Sequence, residues 1–315
     1  MKAFFLKTVS KTSLVVGSWL IRFIAWWIAT GYLLFRPSRR NSSLRLYQVL
    51  FPDRGPWYHL YCAWRQFHSF AGTYAERIEM DRNKGMTAPA QGREKLVEAA
   101  RRGTGGIIVI SHMGSYEIAA RAFQELGLRL LIIMGEREAK QVARDQRETL
   151  MARGVRIHVA TAQEGSPFGG LEALQFLREG GFVSIAGDLV WTDQRSLVPV
   201  RFFDRDAGLP AGPHLLAFVS GAPLFTLFTF RERKGRYQIL LSAPRQVKAA
   251  SRSERQAAIQ SSAQEFASEL EKMVRQHPFQ WYIFEPFFPP LPDNLIGRNS
   301  VADEKGSPCT CTKPL

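Results

Sequence analysis

The chain has 315 residues, 45% of them hydrophobic and 22% charged, which excludes global disorder and allows one sizeable core. Its formal charge of +14 invites a nucleic-acid reading, but the distribution opposes it. Residues 1–60 carry nine Lys and Arg against one acid, Asp53, so much of the excess flanks one apolar segment and suits anionic lipid headgroups.

That segment, Leu14 to Phe35, is 22 residues broken by a single charge, Arg22. About 20 residues suffice for a helix to cross the hydrocarbon core. Trp19, Trp26, Trp27 and Tyr32 suit the headgroup level, and no small-residue cleavage site closes the stretch. Residues 1–40 are therefore read as an uncleaved membrane anchor, spanning or deeply embedded, with Arg22 snorkelling; a membrane-surface helix is the competing reading. Arg36, Arg39, Arg40 and Arg45 place the following domain on the cytoplasmic side.

Residues 41–293 read as one domain. Two aromatic-rich helices fill 41–80, separated at Pro52 and Pro56, and a third covers 94–102 before the glycines at 103, 105 and 106. Apolar, β-branched runs then predict strands at 107–110, 128–134, 155–159, 182–186, 224–230 and 237–241. Helical patterns at 118–126, 140–153 and 171–178 separate the first four, and others follow at 212–220 and 253–276. The alternation predicts an α/β fold with a largely parallel central sheet flanked by helices, behind the N-terminal membrane-anchor helix. The last two strands form a hairpin edge. Residues 294–315 form a polar tail, expected to be disordered, holding two of the three cysteines, Cys309 and Cys311; Cys62 sits among aromatics and packs.

The chemistry centres on one loop. His112 follows the first strand among small residues, Ser111, Gly114 and Ser115, and Glu117 falls in the first turn of the next helix. Carboxyl ends of strands in open α/β sheets are where ligands bind. An imidazole there, with a carboxylate able to hold one tautomer, makes a base without a protein nucleophile beside it, suited to deprotonating a substrate hydroxyl. No dinucleotide fingerprint, nucleophile elbow or metal-ligand spacing occurs, so neither cofactor nor metal is expected. His158, His214 and His277 are isolated and read as structural.

The block His112-Met-Gly-Ser-Tyr-Glu117 resembles the His-x4-Asp/Glu block of the glycerolipid acyltransferase superfamily. The wider order is similar to its bacterial lipid A late acyltransferase branch. Phe51-Pro52, Gly187-Asp188, Val198 to Phe203, Gly212 to Ala217, Ser220 to Pro223 and His277-Pro-Phe-Gln-Trp-Tyr282 follow the family's sequence of blocks over about residues 10–290. This chain differs in Ser115-Tyr116, where the family commonly has Asn-Trp, and in Asp204, where Gly is usual.

The resemblance implies acyl transfer from a thioester, on acyl carrier protein or coenzyme A, to a lipid hydroxyl such as that of a lipid A precursor, at the cell inner membrane. It implies His112 as base with Glu117 as partner. Asp188 matches an acid of a later block, and Arg147, with Arg144 and Arg153 as rivals, matches an arginine near a substrate phosphate; the resemblance implies both as substrate-binding residues. For Asp188 a strand-end turn or cap is the plain alternative, for Arg147 a solvated helix face. A lipid-binding protein that kept the fold without the chemistry is the alternative for the whole chain, and nucleic acid is not an expected partner.

Overall fold

The computed structural model describes residues 18–80, 89–135, 148, 151, 154–160, 170–189, 197–233 and 235–288. Three helices open it: α1 (Ser18–Phe35), α2 (Pro37–Leu50) and α3 (Pro56–Met80). There follow β1 (Ala90–Gln91), α4 (Arg93–Arg101), β2 (Gly106–Ile110), α5 (Tyr116–Glu125), β3 (Leu130–Gly135), β4 (Arg156–Ala160), α6 (Gly170–Arg178) and β5 (Phe182–Ala186). A hairpin of β6 (Leu197–Phe202) and β7 (Arg205–Pro210) leads to α7 (Gly212–Ser220), β8 (Leu224–Arg233), β9 (Arg236–Leu241) and α8 (Arg255–Gln276).

Seven strands form one sheet in the order β1-β9-β8-β2-β5-β3-β4. Neighbours run parallel except β8 and β9, which form the hairpin expected from the sequence; the edge expected there is instead taken by β1, which pairs with β9 in parallel. The strands read as unbroken apolar runs because both faces are covered. On one face Ile107, Val109, Val183, Ile185 and Phe228 pack with Phe176 and Leu177 of α6, Leu216 of α7 and Phe266 of α8. On the other, Ile108, Ile132, Phe225 and Leu227 meet Leu96 of α4 and Ile118, Ala119 and Phe123 of α5. In α8 the buried Ile259, Ala263, Phe266, Leu270 and Val274 recur at helical spacing and draw a single apolar stripe. The helix expected over 140–153 falls almost wholly outside the described residues.

The hairpin β6–β7 was not anticipated as strands. Val198, Val200 and Phe202 alternate inward, and the turn consists of Phe203 and Asp204, with φ of 51° and 57°. A two-residue hairpin turn with both φ positive favours Gly or Asn. Asp204, which stands where the resembled family usually has glycine, is therefore in a backbone region that glycine occupies without steric cost.

Helix α1 is docked. Ile21, Ala29 and Leu33 are buried, and Arg22 reaches Glu76 of α3 at 3.6 Å. Glu76, 2% exposed, also receives Arg231 at 3.2 Å and the Tyr237 hydroxyl at 2.9 Å. Burial, with the Glu76 carboxylate beside it, pushes the Tyr237 phenol well above its usual pKa, so it stays a donor. Arg22 is thus one partner in a charge cluster joining α1, α3, β8 and β9, and the snorkelling expected from the sequence is replaced by an ion pair. Arg231 and Tyr237 hold the Glu76 carboxylate from the sheet side, and Arg22 adds a contact to it from α1. No helix among the described residues is long and apolar enough to cross a membrane. The outward face of α1 carries exposed Trp19, Phe23, Trp27, Leu34 and Phe35.

His214 of α7 is buried, with Nδ1 2.9 Å from Ser262 Oγ. Burial, and secondarily the Arg245 charge, lower its pKa from 6.5 to about 3. The unfolded chain takes up this proton near pH 6.5, the native one only near 3. Its contribution to stability is therefore complete above about pH 6.5 and is lost on acidification, by about 1.4 kcal/mol per pH unit. Urea unfolding at pH 7 and pH 5 should show a loss of about 2 kcal/mol from this group. In His214→Asn, whose amide still reaches Ser262, that component should disappear; an unchanged pH slope would refute the assignment.

Candidate active site

The site is built by the register of two adjacent parallel strands. Ile110 of β2 stands opposite Ala186 of β5, and the ladder continues one step as Gly187 donates its N–H to the Ile110 carbonyl at 2.8 Å. Two residues beyond each strand, His112 and Asp188 therefore fall side by side at the carboxyl edge of the sheet. Gly187 makes this approach possible, because a Cβ there would lie 2.3 Å from Val109 Cγ1.

Asp188 is 1% exposed and accepts three hydrogen bonds. His112 Nδ1 donates to Oδ1 at 2.7 Å, the His112 backbone N–H donates to Oδ2 at 2.6 Å, and Trp281 Nε1 donates to Oδ2 at 2.8 Å. An ionised carboxylate only accepts, so three N–H donors match it, and the contact assigns the proton of the neutral imidazole to Nδ1. Nε2 then carries the basic lone pair. The His112 side chain remains 24% exposed while its partner is sealed from water. A fixed tautomer on a partly open ring is what a general base for an incoming hydroxyl requires.

The loop after His112 is held as firmly as the ring. Gly114 has φ +65°, and a Cβ on it would fall 2.0 Å from the Thr229 carbonyl oxygen of β8. Its N–H donates to the Gln280 carbonyl at 3.0 Å, and the Tyr282 N–H donates to the His112 carbonyl at 2.8 Å. Ser111 Oγ is buried beside the site with no hydrogen-bond partner among the described residues.

Of the four residues expected at the site, two meet here. The backbone of Glu117 lies in the first turn of α5, as the sequence suggests, but its side chain is outside the described residues, as is all of Arg147. Asp188, expected among the substrate contacts, is the observed partner of the His112 ring. Trp281 was overlooked as a site residue, although the His277 to Tyr282 block that contains it was legible in the sequence.

His158 and His277, read from the sequence as structural, make contacts away from the His112–Asp188 pair. His158 bonds Glu172 at 2.8 Å, and His277 stacks on Phe230 with ring centroids 4.1 Å apart, its pKa lowered by burial. Cys62 is buried, which pushes its thiol pKa up and suits a packing role. Among the described residues, no three His, Cys, Asp or Glu side chains gather as metal ligands.

A comparison with curated proteins finds no match. The family model described as bacterial lipid A biosynthesis acyltransferase matches residues 60–289, which takes in β2, β5, the His112–Asp188 pair and the closing block at Trp281. The α/β sheet, the His112–Asp188 pair at its carboxyl edge and this match over most of the chain agree: the protein belongs to the bacterial lipid A biosynthesis acyltransferase family, and the activity its membership supports is acyl transfer.

Proposed function

We propose that this chain is an O-acyltransferase that moves a fatty acyl group from a thioester, on acyl carrier protein or coenzyme A, to a hydroxyl of a lipid acceptor such as a lipid A precursor. The observation that carries the reading is the His112–Asp188 pair at 2.7 Å, a base with its tautomer held at the mouth of the sheet. His112 Nε2 takes the proton of the acceptor hydroxyl as its oxygen attacks the thioester carbonyl. The carbon–sulfur bond breaks, the thiolate leaves, and the imidazolium returns the proton to sulfur. An ester and a free thiol result, with no acyl-enzyme and no metal or cofactor in the step. Asp188 holds the ring and stabilises the imidazolium; Glu117, the acid of the His112 block, partners His112 as a second carboxylate from the first turn of α5. Arg147 is assigned to a phosphate of donor or acceptor.

The protein acts at the cytoplasmic side of the inner membrane. Its seat there is α1, lying in the plane of the interface: one face is fastened through Arg22 to Glu76, and the other presents Trp19, Phe23 and Trp27. The basic residues on and near α2, Arg36, Arg40 and Arg45, face anionic headgroups.

Purified full-length protein, given acyl thioesters of both carriers and a lipid A precursor, should yield an acceptor heavier by one acyl group in mass spectra. Intact thioester and acceptor under every donor tried would sink the reading. In flotation with phosphatidylglycerol-containing vesicles, the combined change Trp19→Ser, Phe23→Ser and Trp27→Ser should weaken binding by roughly 100-fold or more, since each ring withdraws about 1.5 kcal/mol or more of apolar burial. Undiminished binding would remove α1 from the interface.

A further inference from the structure

The block His277 to Tyr282 stands out in the sequence, yet the chemistry above assigns it no task. In the fold it leaves α8 and crosses behind the His112 loop. The Gln280 side chain brackets Arg231 of β8, accepting its N–H on Oε1 at 2.7 Å and donating from Nε2 to its carbonyl at 2.8 Å. The Gln280 carbonyl and the Tyr282 N–H then take the two sides of the His112 loop, at Gly114 and at His112 itself. Between them, Trp281 is completely buried, packed against Phe202 and Phe287, and donates its indole N–H to Asp188 Oδ2. Its backbone carbonyl is anchored in turn by Gln66 Nε2 at 2.6 Å, and Gln66 is bonded by Ser43.

We infer that Trp281 is a positioning residue for the catalytic base, acting through Asp188. Oδ1 of Asp188 serves the imidazole, so the orientation of the carboxyl plane depends on what holds Oδ2. Two donors do so: the backbone N–H of His112 and the Trp281 indole. The first belongs to the residue being positioned, and moves with it. Among the described residues, the indole alone ties Asp188 to an independent part of the molecule, the α3-anchored closing block. Rotation of the carboxylate breaks this bond between two side chains sealed from bulk solvent, where an unmet indole N–H is costly. Trp281 thereby holds Oδ1 on Nδ1 and keeps the basic lone pair on Nε2. Volume alone does not account for the residue, since phenylalanine or leucine would fill an apolar pocket without a donor.

The kinetic consequence of this role rests on the acyl-transfer reading, whereas the tautomer of His112 does not, and the test uses both. In the full-length protein the Trp281 indole is replaced by benzothiophene through the benzothienylalanine analogue, which keeps the bicyclic shape and exchanges N–H for sulfur. Trp281→Phe is made alongside. With 15N-labelled histidine, the His112 ring signals, identified by their loss in His112→Ala, report the tautomer directly; the chain has six histidines.

The benzothiophene protein should unfold cooperatively like wild type and show a mixture of His112 tautomers. Its kcat should fall by about tenfold, the scale of one hydrogen bond to a charged acceptor, with KM within about twofold. Trp281→Phe should lose at least as much. An unchanged His112 tautomer with unchanged kcat in the folded benzothiophene protein would overturn the inference and leave Trp281 as core packing. If wild type transfers no acyl group but its His112 tautomer still depends on the indole N–H, the positioning role stands and the acyl-transfer reading falls.

Discussion

Asp188→Asn is expected to lower acyl transfer by about 10³- to 10⁴-fold, with substrate binding changed only a few-fold. The amide replaces two acceptors by one oxygen and one NH₂ group. Three donors converge on this side chain: two on Oδ2 and one, from the ring, on Oδ1. If the amide oxygen takes the Oδ2 position, where two N–H groups meet, the NH₂ faces Nδ1. The ring must then carry its proton on Nε2, where it cannot accept one from the substrate. Turning the amide over leaves its NH₂ against the backbone and indole N–H groups, which costs about 1–3 kcal/mol per unmet buried donor. Loss of the correct tautomer is also the reason an equivalent Asp→Asn change is so damaging in triad enzymes. Thioester turnover by the purified variant, with 15N spectra of the His112 ring, checks the result. Retention of more than about a tenth of wild-type kcat would show that Asp188 does not govern the base.

His112→Ala should lower kcat by about 10²- to 10⁴-fold, the range spanned by a positioned general base, and leave the fold intact. Asp188 keeps two of its three donors in this variant, the backbone N–H of residue 112 and the Trp281 indole. The cost in stability should therefore stay within about 1–3 kcal/mol. Measured beside Glu117→Gln, the pair of acid variants also apportions the two carboxylates. A deeper loss in Asp188→Asn than in Glu117→Gln assigns the ring orientation to Asp188, and the reverse order returns it to Glu117. Unimpaired turnover in a folded His112→Ala protein would exclude His112 as the base.

Much of this architecture is legible in the chain because its strands are buried on both faces. Runs such as Ile107 to Ile110 and Phe182 to Ala186 announce themselves by composition, and the helices between them by spacing. His112 is legible for a related reason: a titratable ring among small residues, just past such a run, sits where a sheet opens. The hairpin β6–β7 was equally present as an alternation at Val198, Val200 and Phe202, but Pro199 and a turn of Phe203 and Asp204 hid it behind the wrong turn chemistry.

By itself, then, the sequence determined the class of fold, the strand that leads to His112 and the order of blocks that marks the family, since these depend on local pattern. The partners depended on tertiary structure. His112 and Asp188 are 76 residues apart, and only the choice of β5 as the neighbour of β2, after the chain has built β3 and β4, sets them in register. Trp281 is a further 93 residues on, and its indole finds Asp188 only because the closing block crosses behind the loop. Arg22, a lone charge in an apolar run, acquires its meaning from Glu76 on a separate helix. Periodicity records which face of an element is buried, whereas the identity of what lies across that face is decided by sheet order and helix docking, which a local pattern does not encode.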